Sequence, residues 1–118
     1  MNFSEIGLNS NILKAITDLG FENPTPIQEQ AIPFVLFEET DLIALAQTGT
    51  GKTAAFGLPV IQKIDKNKTQ TQSIILCPTR ELCLQITKDL ESYSKYFKKL
   101  KITAVYGCLL YTSDAADE

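Results

Sequence analysis

Residues 46–53 read Ala-Gln-Thr-Gly-Thr-Gly-Lys-Thr, and this short run constrains the fold more than any other part of the chain. Gly49 and Gly51 allow backbone angles that a Cβ forbids, so consecutive N–H groups can converge on an anion. Lys52 offers a cation to the outer phosphates of a bound nucleotide, and Thr53 offers a hydroxyl ligand to Mg²⁺. The run follows the apolar stretch Leu42-Ile43-Ala44-Leu45-Ala46 and precedes the helix-like stretch Ala54-Ala55-Phe56-Gly57-Leu58. A strand that ends in a glycine-rich turn and opens a helix is the setting in which such a turn cradles phosphate. Ala46 departs from the general pattern, which has glycine at that position. The loop therefore predicts a nucleoside-triphosphate site lined by Ala46, Gln47, Thr48, Gly49, Thr50, Gly51, Lys52 and Thr53. Within it, Lys52 and Thr53 are the candidate catalytic pair.

The surrounding pattern predicts alternating helices and strands. Ile12, Leu13, Ile16 and Leu19 recur at helical spacing over 10–19, with Ser10 as the expected cap and Gly20 as the stop. Thr25 followed by Pro26 reads as a helix start, and Gln28 stands where a capping box places its Glu or Gln. Pro33 is expected to end or kink that helix before Phe34. Strands are expected near 41–46, 73–77 and 101–106, and a helix over 52–64. Residues 63–72 read as a polar loop. A long amphipathic helix follows Pro78, with Leu82, Ile86, Leu90, Tyr93 and Phe97 on one stripe. Strands alternating with helices imply an α/β fold of the phosphate-loop NTPase kind, a parallel sheet with flanking helices.

Bulk properties narrow the function less. The 118 residues suffice for one domain or part of one, and a 44% hydrophobic content suits a packed core. There is no signal-peptide layout and no apolar run long enough to span a bilayer, so no membrane role is expected. Cys77, Cys83 and Cys108 lack metal-ligand spacing and have no histidine to join them, which favours reduced thiols and a cytoplasmic location. The net charge of −3 weighs little against a nucleic-acid partner, because acidic and basic residues balance once Asp114, Asp117 and Glu118 are set aside. Positive charge can also be concentrated in one cleft.

Three motifs in series resemble those of the DEAD-box ATP-dependent RNA helicases. Phe21-Glu22-Asn23-Pro24-Thr25-Pro26-Ile27-Gln28 is similar to their Q motif. Ala46-Gln47-Thr48-Gly49-Thr50-Gly51-Lys52-Thr53 is similar to their motif I, in which alanine takes the first position. Pro78-Thr79-Arg80-Glu81-Leu82, with Gln85 behind it, is similar to their motif Ia. The resemblance runs from about residue 3 to residue 107 and implies a partial RecA-like domain with ATP and Mg²⁺ as cofactors. It implies that Gln28 reads adenine, for which an amide suits because it donates and accepts at once. It places Phe3 where a ring stacks on the base and counts Phe21 with the nucleotide-binding residues, although core packing is the plainer reading of Phe21. It implies RNA-backbone contact, without base reading, for Pro78, Thr79, Arg80 and Gly107. Arg80 is the single arginine beside ten lysines, so its fork geometry occurs once; a surface salt bridge is its plainer use. Lys95, Lys98, Lys99 and Lys101 read as a solvated helix end.

The expected organisation is a Q-motif region over 1–31, a partial ATP-binding segment over 32–107 and a tail over 108–118. The tail departs from the family pattern after Gly107 and resembles a translated sequencing adapter. The acidic residue that would hold Mg²⁺ opposite Thr53, found in the family within an Asp-Glu-Ala-Asp motif, does not occur in the sequence. ATP-driven RNA unwinding is thus expected of a parent enzyme, and nucleotide binding without turnover of these residues alone. The other reading is a phosphate-loop translocase acting on DNA.

Overall fold

The computed structural model describes residues 1–107; the expected tail over 108–118 lies outside the described residues. Helix α1, Ser10–Asp18, is capped by Asn9, whose Oδ1 accepts from the Ile12 N–H at 3.1 Å. Asn9 thus takes the capping role expected of Ser10, because it is the residue with extended backbone and a side-chain acceptor at the right offset. Ile12, Ala15 and Ile16 are buried, whereas Leu19 lies beyond the helix and is exposed.

Helix α2, Pro26–Phe37, begins with the expected capping box between Thr25 and Gln28. It does not stop at Pro33. The helix continues through it to Phe37, so the expected ending is absent. A proline inside a helix costs about 3 kcal/mol. Ile32 on one side is fully buried and Leu36 on the other packs against the core, and burying such side chains returns about 1.5–3 kcal/mol each. Packing therefore overrides the local signal.

Helix α3, Lys52–Lys63, issues from the glycine-rich loop, and α4, Arg80–Tyr93, is capped by Thr79. Helix α3 is central: it packs against both α2 and α4, while α1 packs on α4. Leu58 is fully buried at its middle. At Gly57 a Cβ would meet Leu90 Cδ2 at 2.7 Å, so a side chain there would force the Leu90 side chain of α4 to shift. Ile86, Leu90 and Tyr93 are the buried stripe of α4; Leu82, expected on the same stripe, is 41% exposed. Phe3, Ile12, Ile32, Leu58 and Ile86 share one core, and α2 crosses the boundary drawn between residues 31 and 32.

The three expected strands form no ladder among the described residues. The expected alternation is nonetheless present in the second and third segments. Ile75, Cys77 and Ile102 lean on the core while Ile74, Leu76 and Val105 face outward. In the first segment Leu42, Ile43 and Leu45 are all exposed. The reason is that a helix closes its hydrogen bonds within itself, whereas a strand needs a neighbour at the right register. No described helix is long and apolar enough to cross a membrane.

Candidate functional site

Both candidate clusters lie at helix N-termini. Gly49 and Gly51 adopt φ of 80° and 85°, the left-handed conformation expected of a phosphate cradle. Gly51 is the N-cap of α3 and contributes no side-chain hydrogen bond to it, so the first-turn N–H groups are free to meet an anion. Lys52 and Thr53 are the first two helical residues, Lys52 exposed and Thr53 half-buried. The Thr50 hydroxyl donates to the Gln47 carbonyl and tightens the loop. A converging set of N–H groups, an ammonium and a hydroxyl suits a triphosphate with a divalent cation.

Gln28 joins this loop to the N-terminal region. It is 3% exposed. Its Oε1 accepts from the Thr25 N–H at 3.0 Å, and its Nε2 donates to the Gly51 carbonyl at 3.1 Å. An amide oxygen has two lone pairs and an amide nitrogen two hydrogens, so one acceptor and one donor remain. A Cβ on Gly51 would lie 2.3 Å from Gln28 Nε2, which adds a second requirement for glycine there. The capping box was readable from sequence; the bond to Gly51 spans 23 residues and carried no sequence signal.

Phe3 is a core residue, 5% exposed, in a 3-10 turn over Phe3–Glu5. Its ring lies 6.1 Å from that of Phe21, and Phe21 meets Tyr93 edge-on at 6.2 Å. The expectation that Phe3 offers a free face for stacking therefore meets a ring already covered by its neighbours.

The second cluster is a cleft of about 270 Å³ that brings Pro78, Thr79 and Arg80 together with Gly107, 27 residues after Arg80 in the chain. Thr79 Oγ1 accepts from the Leu82 N–H at 3.1 Å and keeps its own hydrogen to donate. Arg80 is exposed and forms no ion pair among the described residues; its guanidinium lies 6.0 Å from the Tyr106 ring. Cys77 and Cys83 are free thiols in the same cleft, and burial, followed by the neighbouring Cys83, pushes the Cys77 thiol up. Lys95, expected to be solvated, pairs with Asp18 at 2.9 Å, and Lys98, Lys99 and Lys101 are exposed. The Tyr96 hydroxyl, then Lys95, hold the Asp18 carboxyl below its ordinary range.

Residues 25–117 match the family model of the DEAD/DEAH box helicases. The chain belongs to this family. It is 53% identical over 105 residues to the ATP-dependent RNA helicase CshA of Listeria monocytogenes, covering 89% of the chain and 20% of that protein. Among solved structures, it resembles a DEAD box protein from Methanococcus jannaschii with a TM-score of 0.75 and 47% identity over 79% of the chain and 25% of the other. It also resembles S. cerevisiae Dbp5 bound to RNA and ADP BeF3, with a TM-score of 0.79 and 38% identity over 83% of the chain and 25% of the other. These neighbours are RecA-like domains of DEAD-box helicases, which is the fold class of the chain. The chain spans about a fifth of the length of the curated relatives it matches. Placing a DEAD-box Q motif, motif I and motif Ia on this structure puts the first two in direct contact through Gln28 and Gly51.

Proposed function

We propose that this chain is the ATP-binding front part of an RNA helicase that couples ATP hydrolysis to unwinding or remodelling of RNA. The observation that carries the reading is the Gln28 amide, which is bonded to Gly51 at the mouth of the phosphate loop and retains one donor and one acceptor. That pairing of capacities matches the adenine edge, beside a cradle suited to its phosphates. In this reading Lys52 meets the outer phosphates and Thr53 holds Mg²⁺. The backbone at Gln47, Thr48, Gly49, Thr50 and Gly51 receives the remaining oxygens, and Ala46 ends the strand that delivers the loop. Phe21 borders the base, with Phe3 packed beneath it rather than stacked on the ligand. The extended segments over 41–46, 73–77 and 101–106 are the parallel strands of the complete domain.

Pro78, Thr79, Arg80 and Gly107 line a cleft whose donors suit phosphodiester oxygens, so in this reading RNA is gripped by its backbone. Free thiols at Cys77 and Cys83 support a reducing, cytoplasmic setting. The groups that complete phosphoryl transfer are not among these residues, so the 118 residues alone bind nucleotide without turning it over.

The decisive experiment measures ATP hydrolysis by the uninterrupted parent protein with and without RNA. RNA should stimulate hydrolysis, ATP should be preferred to GTP, and Lys52→Ala should lose at least about a hundredfold in rate, as expected when a preorganised cationic contact to the transferred phosphoryl is removed. Stimulation by DNA instead would favour a DNA translocase, and phosphate release by the 118-residue chain itself would contradict the assignment as an incomplete site.

A further inference from the structure

Helix α3 starts at the phosphate loop and carries Gln62, half-buried, near its other end. Both ends of this amide are taken by one distant stretch of chain. Oε1 accepts from the Asn9 N–H at 2.8 Å, and Nε2 donates to the Gly7 carbonyl at 2.9 Å, across separations of 53 and 55 residues. A two-point amide contact is directional in a way that apolar packing is not. It fixes the register of residues 7–9 against α3 as well as their proximity. These residues follow the turn that carries Phe3, and the Phe3 ring packs on Phe21, at the head of the segment that leads to Thr25 and Gln28. Gln28 is in turn bonded to Gly51 at the start of α3. The phosphate-loop helix, about 18 Å long at 1.5 Å per residue, is thus held at both ends by glutamine amides to the same N-terminal layer.

We propose that Gln62 is a positioning residue for recognition of the adenine base: it locks the N-terminal segment onto the phosphate-loop helix, so that Phe3, Phe21 and Gln28 keep one register relative to the phosphate cradle. The inference rests on the ATP reading above. It separates two contributions to affinity. The cradle at 46–53 is shaped by its own glycines and receives no hydrogen bond from Gln62, whereas the base side depends on where residues 3–28 sit. The groups that lose Gln62 in a variant are an exposed N–H and a part-buried carbonyl. Water can satisfy both, so the core survives while the register loosens.

Two probes separate these contributions: ATP and inorganic tripolyphosphate, each titrated with Mg²⁺ against the purified full chain. Wild type is expected to bind both and to prefer ATP. Gln62→Ala should weaken ATP binding about tenfold, the equivalent of one to two hydrogen bonds, and shift tripolyphosphate by less than about twofold. Gln62→Glu keeps the size of the side chain but sets a carboxylate oxygen against the Gly7 carbonyl, so it should lose the ATP preference as well while packing is retained. Equal weakening of both probes in the two variants would show a general structural role and overturn the proposal, as would an unchanged ATP preference in Gln62→Glu. A wild type that binds tripolyphosphate as tightly as ATP would defeat the adenine reading itself, which is a different result from a wild-type preference that survives the substitutions.

Discussion

The four helices and the three extended segments carry apolar patterns of comparable strength, yet they end in opposite states. Helices α1 to α3 bury Ile12, Ile16, Ile32 and Leu58 completely, and α4 buries Ile86, Leu90 and Tyr93 almost so. The extended segments leave Ile43, Leu45, Ile74, Leu76 and Val105 between 76% and 91% exposed. The difference is one of hydrogen-bond accounting. A helix satisfies its N–H and C=O groups from residues three or four apart in sequence, so packing of one stripe completes it. A strand satisfies them only from another strand, and apolar side chains on its outer face need a further layer. In this molecule the glycine-rich loop is the junction between the two conditions: it leaves an exposed segment at Ala46 and enters the packed layer at Lys52.

The largest expected effect comes from the middle of the packed layer. Leu58→Ala removes a fully buried side chain of α3 from the core and should destabilise the protein by about 2–5 kcal/mol. Thermal or urea unfolding measures it directly. A loss below about 1 kcal/mol would mean that the helical layer is as loosely held as the extended segments, and the contrast would disappear.

The helices were legible because their determinants are local. Thr25 with Gln28 is a cap that depends on residues within one turn, and so could be read, whereas the Thr79 cap of α4 was not anticipated. Pro33 does not end its helix for the complementary reason: its local cost is outweighed by Ile32 and Leu36 packing against partners far away in sequence. The phosphate loop could be read because glycine spacing alone dictates its conformation. What could not be read was contact between motifs. Neither the bond from Gln28 to Gly51, nor that from Gln62 to Gly7 and Asn9, nor the meeting of Gly107 with Thr79 and Arg80 leaves a mark on the intervening sequence. The packing of Phe3 against Phe21 is likewise a tertiary fact.

A second, smaller effect probes the same layer by pH. Tyr93 is 6% exposed, and burial, with a lesser contribution from the charge of Asp89, pushes its phenol from 10.0 to about 12. The folded state therefore holds the proton more tightly than the unfolded state. Its contribution is complete below pH 10 and is lost as the pH rises from 10 towards 12, a slope worth about 2–3 kcal/mol in total. Tyr93→Phe should flatten that part of the stability curve relative to wild type. Identical slopes for the two proteins would show that the ring is accessible to solvent and that α4 does not seal the core.

The smallest effect on stability, and the most informative about the extended segments, is expected from Ile43→Lys combined with Leu45→Lys. These side chains are 89% and 91% exposed, so their replacement removes almost no buried area, and the unfolding free energy should change by less than about 0.5 kcal/mol. Their effect should appear in association. Unpaired backbone groups flanked by exposed apolar side chains form an edge on which a second chain can add, and lysines oppose that addition by charge and by the cost of desolvating them. Wild-type chain should therefore self-associate as concentration rises, read by light scattering or sedimentation velocity, and the double variant should stay monomeric over the same range. A variant that associates as wild type does would place the sticky surface elsewhere, at Ile74, Leu76 and Val105. A variant that loses more than about 2 kcal/mol would show that residues 43 and 45 are buried in solution, in which case the first segment has already found its sheet.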